Sequence, residues 1–220
     1  MKSEHERYAL GLRLSHAALI RNLDRFVEIA ASDGFERLDP LAAFVALYVE
    51  FFHLHHRSEE EHLFPALRRC SAGKTTDAAH LERWSAEHRD IDQLGRGLTQ
   101  IAERLPQRRS QLKELGRASR VLRELLGPHS TSEEEILSAA HLPEMIRERD
   151  LKATTDAIAR TNRVRAIAMA SFLASSLQPG EQRALLGEAP WIFRKLFLGV
   201  IGARRMRRFR ALVQTPSISV

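Results

Sequence analysis

The chain has 220 residues, of which 44% are apolar and 28% charged, a composition typical of a globular protein with a buried core. Its single cysteine, Cys70, excludes an internal disulfide and is typical of a reducing compartment. The first seven residues lack the apolar run of a signal peptide, and no uncharged run approaches the roughly 18 residues that cross a bilayer. We therefore expect a cytoplasmic protein.

The formal net charge of +6 is unevenly distributed along the chain. Residues 151–220 carry 12 Lys and Arg against 3 Asp and Glu, whereas the preceding residues carry 22 against 25. A basic segment that follows a slightly acidic one indicates two parts. We expect a helical domain over residues 1–148 and a C-terminal extension over residues 149–220.

In chain order, the first two predicted helices belong to one hairpin. Apolar residues at helical spacing predict a first helix that includes Leu10 to Val27 and ends at Ser32-Asp33-Gly34. Asp39-Pro40 predicts the start of the second helix, with Asp39 as its N-cap and Pro40 as its first helical residue. This helix should end near residues 71–74.

The third and fourth predicted helices form a second hairpin. Thr76-Asp77 predicts the start of the third, which should end at about Leu105-Pro106, and the fourth should run from about Ser110 to Leu137. Gly127-Pro128 lies inside the fourth helix, so we expect a kink or break there. Long helices with short connections pack as antiparallel neighbours. The predicted fold is therefore all-α, an up-down-up-down four-helix bundle with a C-terminal basic helical extension.

The extension begins beyond Pro143. Asp150 to Leu177 predicts a fifth helix, Pro179-Gly180-Glu181 a turn, and Pro190 to about Leu212 a sixth, basic helix. Two interpretations stay open. The extension packs on the bundle, or its apolar residues 191–201 and the arginines that follow contact a protein partner or an anionic membrane surface. The candidate contact residues are Arg204, Arg205, Arg207 and Arg208.

Four of the ten histidines belong to a pattern that occurs twice. A histidine is followed 40 or 41 residues later by a second histidine, which has a glutamate four residues beyond it. Residues four apart share one face of a helix, where both side chains can reach one ion. The first set is His16, His56 and Glu60, and the second set is His88, His129 and Glu133.

The expected heights of these residues in the bundle agree. His16 precedes the first loop by roughly 24 Å of helix, and His56 follows it by roughly 25 Å. His88 precedes the connection at residues 105–110 by a similar distance, and His129 follows that connection by roughly 27–30 Å. Both loops lie at the same end of such a bundle. All six side chains should therefore reach one level of the core.

The donors at this level predict a metal centre. Burying imidazoles and carboxylates without a counter-charge is costly, and a cation removes that cost. Four imidazoles and two carboxylates suit two iron ions. A ferritin-like alternative needs E-x-x-H on two helices, but Glu50-x-x-His53 and Glu59-x-x-His62 fall on the same predicted helix.

The signature residues resemble a known family. His56 to Pro65 is similar to the H-x-x-E-E-x-x-L-F-P signature of the hemerythrin-like, HHE cation-binding family. Glu87-His88 and the stretch from His129 to Glu134 resemble its third-helix and fourth-helix motifs. The resemblance covers roughly residues 8–145. It implies a four-helix bundle that binds two iron ions in an oxo- or hydroxo-bridged centre, through His16, His56, Glu60, His88, His129 and Glu133, with Glu60 and Glu133 as bridges.

The sequence departs from the oxygen-carrying hemerythrins at the third helix. Those proteins have a fifth histidine in an H-x-x-x-H pair, whereas here Trp84 and Asp92 stand four residues before and after His88. We expect His55 and His62 to face solvent or neighbouring carboxylates, and Tyr8 and Tyr48 to pack in the core. Candidate residues that contact the ligands from outside are His53, Glu59 and Asp92.

The resemblance implies a non-haem di-iron protein that binds or turns over dioxygen, peroxide or nitric oxide, in sensing, scavenging or detoxification under oxidative or nitrosative stress. If it is an enzyme, a catalase-like or peroxidase-like oxidoreductase is the expected class, with no catalytic residue separate from the metal centre. The alternative is an iron- or oxygen-responsive binding module whose basic C-terminal helices contact a partner or membrane. We expect no specific nucleic-acid partner, either iron or manganese as the metal, and a monomer or homodimer.

Overall fold

The computed structural model of the chain describes residues 2–32, 34–70, 75–187 and residue 209. Within these ranges the regular structure is entirely helical. The predicted all-α class and the four-helix bundle are confirmed. The predicted sixth helix, its basic cluster at residues 204–208 and the predicted helix end at residues 71–74 lie outside the described residues, apart from residue 209.

Four long helices form the bundle. They are α1 (Glu4–Ala31), α2 (Leu38–Ser58), α4 (Thr75–Arg104) and α5 (Gln111–Ile136). Helix α2 continues through a π-helical turn (Glu59–Leu63) into α3 (Phe64–Cys70). The closest pairings are α1 with α5, α2 with α4, and α4 with α5.

Local signals explain where the first hairpin begins and turns. Ser3 and Glu6 form a capping box: the Ser3 hydroxyl accepts from the Glu6 N–H, and the Glu6 carboxylate accepts from the Ser3 N–H. Gly34 has a φ of 76°, which favours glycine in the loop that follows α1. Helix α2 begins two residues earlier than predicted, because Arg37 rather than Asp39 is its N-cap. Asp39-Pro40 therefore lies inside the first turn, where a proline N–H is not needed.

The break predicted at Gly127-Pro128 is wrong. Helix α5 runs through Pro128 without interruption. The proline lies on the exposed face of the helix, so water can hydrate the carbonyl group that loses its N–H partner. The Thr131 hydroxyl also donates to the Gly127 carbonyl at 3.0 Å. His129 and Glu133 thus keep the regular i, i+4 relation.

After the bundle, the described residues up to 187 form four shorter helices, namely α6 (Leu142–Met145), α7 (Glu148–Thr161), α8 (Ala166–Ser176) and α9 (Pro179–Leu186). The single fifth helix predicted from residue 150 to 177 is wrong, because residues 162–165 interrupt it. Asn162 donates to the Ser58 hydroxyl at 3.1 Å, and Arg165 pairs with Glu50 at 3.1 Å, so contacts with the α2 segment hold this turn. Pro179 starts α9 rather than lying in a turn.

Helices α7 to α9 contact α1, and α8 also contacts α2. The division into domains at residue 148 stays a prediction. No helix of the described ranges combines the length and apolar character that crossing a membrane requires.

Two apolar clusters fill the bundle, and the histidine level lies between them. The larger cluster contains Phe26, Phe44, Tyr48 and Phe52, and the smaller one contains Trp84. Each of the four chain segments that carry these helices contributes to both clusters, with its site residues in between. The flanking pairs, smaller cluster first, are Leu12 and Leu19 on α1, Leu63 of the π-helical turn and Phe52 of α2, Trp84 and Ile91 on α4, and Leu137, the C-cap of α5, and Leu126 within it.

The close approach of α1 and α5 gives a test of the fold. A Cβ atom at Gly116 would lie 2.6 Å from the Ala30 Cβ, whereas one at Gly97 on α4 would meet nothing within 4 Å. We expect Gly97→Ala to raise the free energy of unfolding by up to about 1 kcal/mol through helix propensity. In Gly116→Ala, overpacking should lower the free energy of unfolding by about 1–3 kcal/mol, which offsets or exceeds the same gain in helix propensity. Denaturant unfolding of both metal-free variants measures the difference, and a Gly116→Ala protein as stable as Gly97→Ala would contradict the packing.

Candidate metal centre

Buried histidine and glutamate side chains occupy the layer between the two apolar clusters. They form two groups whose ligand atoms lie within 4.8 Å of one another inside each group. All except His55 are at most 3% exposed, and the His55 side chain is 11% exposed. The first group, the three-histidine group, is His56, His88 and His129. The second, the mixed group, is His16, His55, Glu59 and Glu133.

The carboxylate of Glu133 faces both groups. Its Oε1 lies 3.4 Å from Nε2 of His129 and 3.6 Å from Nε2 of His88. Its Oε2 lies 3.4 Å from Nε2 of His16. One carboxylate therefore presents one oxygen to each group.

Glu59 has the same arrangement from the opposite hairpin. Its Oε2 lies 3.5 Å from Nε2 of His88, in the three-histidine group. Its Oε1 lies 3.6 Å from Nε2 of His55, in the mixed group. The two glutamates thus span the same pair of positions, and each is suited to bridge two cations.

Four of the histidines are oriented by carboxylates on other helical segments. Each directs Nδ1 to one carboxylate oxygen at 2.8–2.9 Å. Such a bond holds the ring proton on Nδ1 and leaves the Nε2 lone pair free for a metal, as is usual for metal-bound histidine. The pairs are His16 with Glu134, His56 with Asp92, His88 with Glu60, and His129 with Glu87.

The inward-facing atoms lack hydrogen-bond partners. Nε2 of His16, His55 and His56 and both carboxylate oxygens of Glu59 and Glu133 are buried with no partner among the described residues. Buried polar atoms in native proteins are nearly always paired. A set of convergent, unpaired nitrogen and oxygen lone pairs fits cations, which are bound by such donors.

The contact between His88 and His129 supports the same conclusion. Their Nε2 atoms lie 3.1 Å apart, although both rings are bonded through Nδ1 to carboxylates. With the ring protons on Nδ1, two Nε2 lone pairs face each other, and neither can donate. An additional proton or a cation must lie between them.

The carboxylates control how these groups titrate. Burial lowers the pKa of His16, but the carboxylates of Glu133 and Glu134 outweigh it and raise the pKa to about 9. Burial also lowers the pKa of His88, but the carboxylates of Glu133 and Glu60 outweigh it and raise that pKa to about 10. In the absence of a cation, both imidazoles are therefore protonated at neutral pH.

The other donors shift in ways that burial explains. Burial lowers the pKa of His56 to about 4, despite its hydrogen bond to Asp92, and lowers the pKa of His55 as well. Burial and the neighbouring charge of Glu133 raise the pKa of Glu59. Burial would also raise the pKa of Glu133, but the neighbouring imidazoles of His16 and His88 lower it. Protons on the imidazoles thus balance the negative charge of the buried carboxylates, a role that cations would otherwise have.

Of the six ligands expected from the sequence, the structure brings together His16, His56, His88, His129 and Glu133. It does not bring Glu60 into either group. The Glu60 side chain is 35% exposed and accepts a hydrogen bond from Nδ1 of His88. Glu59, expected outside the ligands, occupies the position expected for Glu60 in this geometry, and the bridging role of Glu60 stays a prediction.

Helix geometry explains the exchange. At 3.6 residues per turn, each residue turns the helix by about 100°, so with His55 at 0° and His56 at about 100°, Glu59 falls at about 40° and Glu60 at about 140°. Both histidines face inward here, and the glutamate between their directions is Glu59. The π-helical turn that starts at Glu59 then lets Leu63 and Phe64 both be fully buried.

Of the two surroundings expected for His55, solvent or neighbouring carboxylates, the structure shows the second, since Oε1 of Glu59 lies 3.6 Å from its Nε2. Its ring packs edge-on against His16 at 4.9 Å between centroids. The i, i+4 spacing of His55 and Glu59 is the same as that of His56 and Glu60. The sequence pattern therefore includes both pairs but does not show which of them supplies the inward-facing glutamate. The centre thus has a fifth histidine, contributed by the α2 segment rather than by α4.

Two of the residues expected around the ligands, Asp92 and His53, lie there. Asp92 accepts hydrogen bonds from Nδ1 of His56 at 2.9 Å and from Nδ1 of His53 at 3.2 Å. The roles of Glu87 and Glu134 were missed, since each orients a histidine on a different helix and no spacing along the chain reveals the pair.

Ligand side chains that project from facing helices into a bundle core define a class of metal-binding helical proteins. The family model of the hemerythrin HHE cation binding domain matches residues 11–140, more than half of the chain. The chain therefore belongs to this family, and its fold and site carry a cation-binding function. Comparisons with curated proteins and with solved structures gave no match.

Adjacent glutamates provide a matched pair of variants for the ligand assignment. We expect Glu59→Gln to abolish binding of the second cation equivalent, because it removes a donor shared by both positions. Glu60→Gln should keep the stoichiometry and weaken binding by about 10- to 100-fold, as is typical when the hydrogen-bond partner of a ligating histidine is lost. Elemental analysis after dialysis against graded chelator concentrations measures both effects. If Glu60→Gln abolished the second equivalent and Glu59→Gln only weakened binding, Glu60 would be the bridging ligand.

The pKa values predict that cation uptake releases protons. His16 and His88, with pKa values of about 9 and about 10, must lose their protons when Nε2 binds a cation at pH 7. Raising the pH through these values removes that competition, so the apparent affinity should increase with pH. Calorimetric titration with zinc in buffers of different ionisation enthalpy counts the protons. Uptake at pH 7 without proton release would contradict the assigned protonation.

Proposed function

We propose that the protein holds two iron ions and binds or turns over a small oxidant or diatomic ligand: dioxygen, peroxide or nitric oxide. The observation that carries this proposal is the pair of buried carboxylates, each with one oxygen toward each histidine group. Two glutamates that face the same two positions favour a dinuclear centre over a single site. Cation binding itself follows from the family and is not part of the proposal.

Each cation would have its own histidines. Nε2 atoms of His56, His88 and His129 would hold one ion, and those of His16 and His55 the other. Glu59 and Glu133 would bridge them. Five imidazoles and two carboxylates favour iron over manganese, because imidazole suits iron whereas manganese prefers oxygen-rich sites.

The unequal division of histidines has a consequence for ligand binding. The position between His16 and His55 has one histidine fewer, so we infer that an exogenous ligand enters there. When bound, an iron pair supplies one-electron oxidation and reduction together with open positions for small ligands. The protein supplies orientation through the Nδ1 carboxylates and excludes bulk water through the two apolar clusters.

Tyr8 gives the mixed group a neighbouring protonated hydroxyl. It borders the same cavity as His55 and Glu59. Burial and the charges of Glu59 and Glu133 raise the pKa of Tyr8, so its phenol keeps its proton at neutral pH. This hydroxyl is the candidate hydrogen-bond donor toward a ligand on that side, while the ring packs against the smaller apolar cluster, as expected from the sequence.

Iron content tests the dinuclear assignment. The purified protein, loaded with ferrous iron and oxidised, should contain about two irons per chain and absorb in the near ultraviolet through ligand-to-metal charge transfer. His55→Ala should lower the iron content and weaken this absorption, because the mixed group loses one of its two histidines. His62→Ala, on the same π-helical turn but outside both groups, is the control and should leave both measurements unchanged.

Reactivity tests the choice of ligand. We expect the iron-loaded protein to consume hydrogen peroxide, or to change its visible spectrum reversibly with dioxygen or nitric oxide. His55→Ala should reduce either response more than His62→Ala does. An iron-loaded protein that retains two irons and gives none of these responses would refute the proposed function while leaving the metal centre in place.

A further inference from the structure

Basic side chains are concentrated where α4 turns into α5. Residues 104–123 carry seven Lys and Arg against one Glu, a net charge of +6. Backbone hydrogen bonds fix the turn, since the Arg108 N–H donates to the Arg104 carbonyl at 3.1 Å and the Leu112 N–H donates to the Arg109 carbonyl at 3.0 Å. Six of the seven basic residues form what we call the basic strip, and all six are exposed: Arg104, Arg108, Arg109, Lys113, Arg117 and Arg120.

Most of the charge of the basic strip is uncompensated. Arg117 pairs with Glu114 at 3.1 Å. The other five members have no carboxylate within ion-pair distance among the described residues. The seventh basic residue, Arg123, pairs with Asp24 of α1 and so lies outside the strip. A row of unpaired like charges is suited to an anionic partner.

The solvent-facing side of α5 continues the basic strip into apolar side chains. With Lys113 at 0°, a turn of about 100° per residue places Val121 at about 80° and Leu125 at about 60°, on the same side as Arg117 at about 40°. Val121 is 43% exposed and Leu125 is 46% exposed. Within the described ranges, Val164 is the only other large apolar side chain with comparable exposure. The opposite side of α5 supplies the core, through Leu115, Leu122 and Leu126.

We propose that this side of α5 binds an anionic membrane surface. The basic strip would lie against the lipid phosphates, and Val121 and Leu125 would enter the boundary between headgroups and acyl chains. This surface belongs to the second hairpin and is separate from the basic C-terminal helices expected from the sequence. It requires no cation, so the inference does not rest on the proposed function.

The combination of charge and apolar side chains favours lipid over other anionic partners. Lysine and arginine near an anionic bilayer are attracted by its surface potential. Nucleic acid would attract the basic strip as well, but its phosphate backbone offers no apolar layer for Val121 and Leu125, whereas a bilayer interface does. Residues 188–220 of the chain carry seven Lys and Arg against one Glu, so repulsion disfavours them as the occupant of this surface.

The experiment is sedimentation of the metal-free full chain with phosphatidylcholine vesicles that contain about 30% phosphatidylglycerol. We expect binding at low salt that falls at least about tenfold in 0.5 M sodium chloride, because salt screens the lipid charge. Vesicles of phosphatidylcholine alone should bind at least about tenfold more weakly.

Two triple variants with the same loss of charge locate the surface. Arg109→Gln, Lys113→Gln and Arg120→Gln together should weaken binding at least about tenfold, because each cation near the lipid contributes about fivefold. The control removes three exposed arginines from α3, α7 and α9 and should weaken binding less than about threefold: Arg69→Gln, Arg160→Gln and Arg183→Gln. Should the first variant fail to fold by circular dichroism, Arg120→Gln alone should still weaken binding at least about threefold.

A charge-neutral variant separates lipid from nucleic acid. Val121→Ser with Leu125→Ser keeps every charge and should weaken vesicle binding about three- to tenfold, while binding to a DNA duplex stays unchanged. Equal losses in the two triple variants would show that net charge alone is responsible and would overturn the proposal. So would vesicle binding that the serine variant retains in full, DNA binding tighter than vesicle binding in the unsubstituted protein, or no binding to the anionic vesicles. None of these outcomes bears on whether the protein holds two irons.

Discussion

Two glutamate side chains are buried in one layer of the bundle, and the protein must compensate their negative charge there. Glu133 is fully buried and Glu59 nearly so, and within the described part of the chain no hydrogen bond reaches their oxygens. An isolated buried carboxylate costs several kcal/mol, so the layer requires positive charge. Without a metal that charge comes from protons on His16 and His88, and the proposed pair of cations would supply it without disturbing the Nδ1 bonds that orient the rings.

The outer carboxylates also join the helices. Each Nδ1 bond crosses from one helical segment to another, as with His16 of α1 and Glu134 of α5. The same bonds that prepare the donors therefore hold the four segments at one level, with apolar clusters above and below. The donor atoms are therefore in position before a cation binds, as a preorganised site requires.

Much of the site follows from the sequence, because one pattern occurs on both hairpins. The recurrence of a histidine and His-x-x-x-Glu locates His16, His56, His88, His129 and Glu133 through helical periodicity alone. The choice between Glu59 and Glu60 could not be made in that way, since the two residues are chemically identical and adjacent. It depends on two neighbouring histidines facing inward together, a result of packing. The break between α7 and α8 depends likewise on contacts of Asn162 and Arg165 with the distant α2 segment.

We propose that Glu59 and Glu133 span two cation positions. Anomalous diffraction from crystals of the iron-loaded full chain, recorded on both sides of the iron absorption edge, would locate the ions. We expect two iron peaks about 3.5–4 Å apart, one among His56, His88 and His129 and the other beside His16 and His55, with both glutamates between them. A single peak, or a second peak bound by Glu60 with Glu59 turned away, would contradict it.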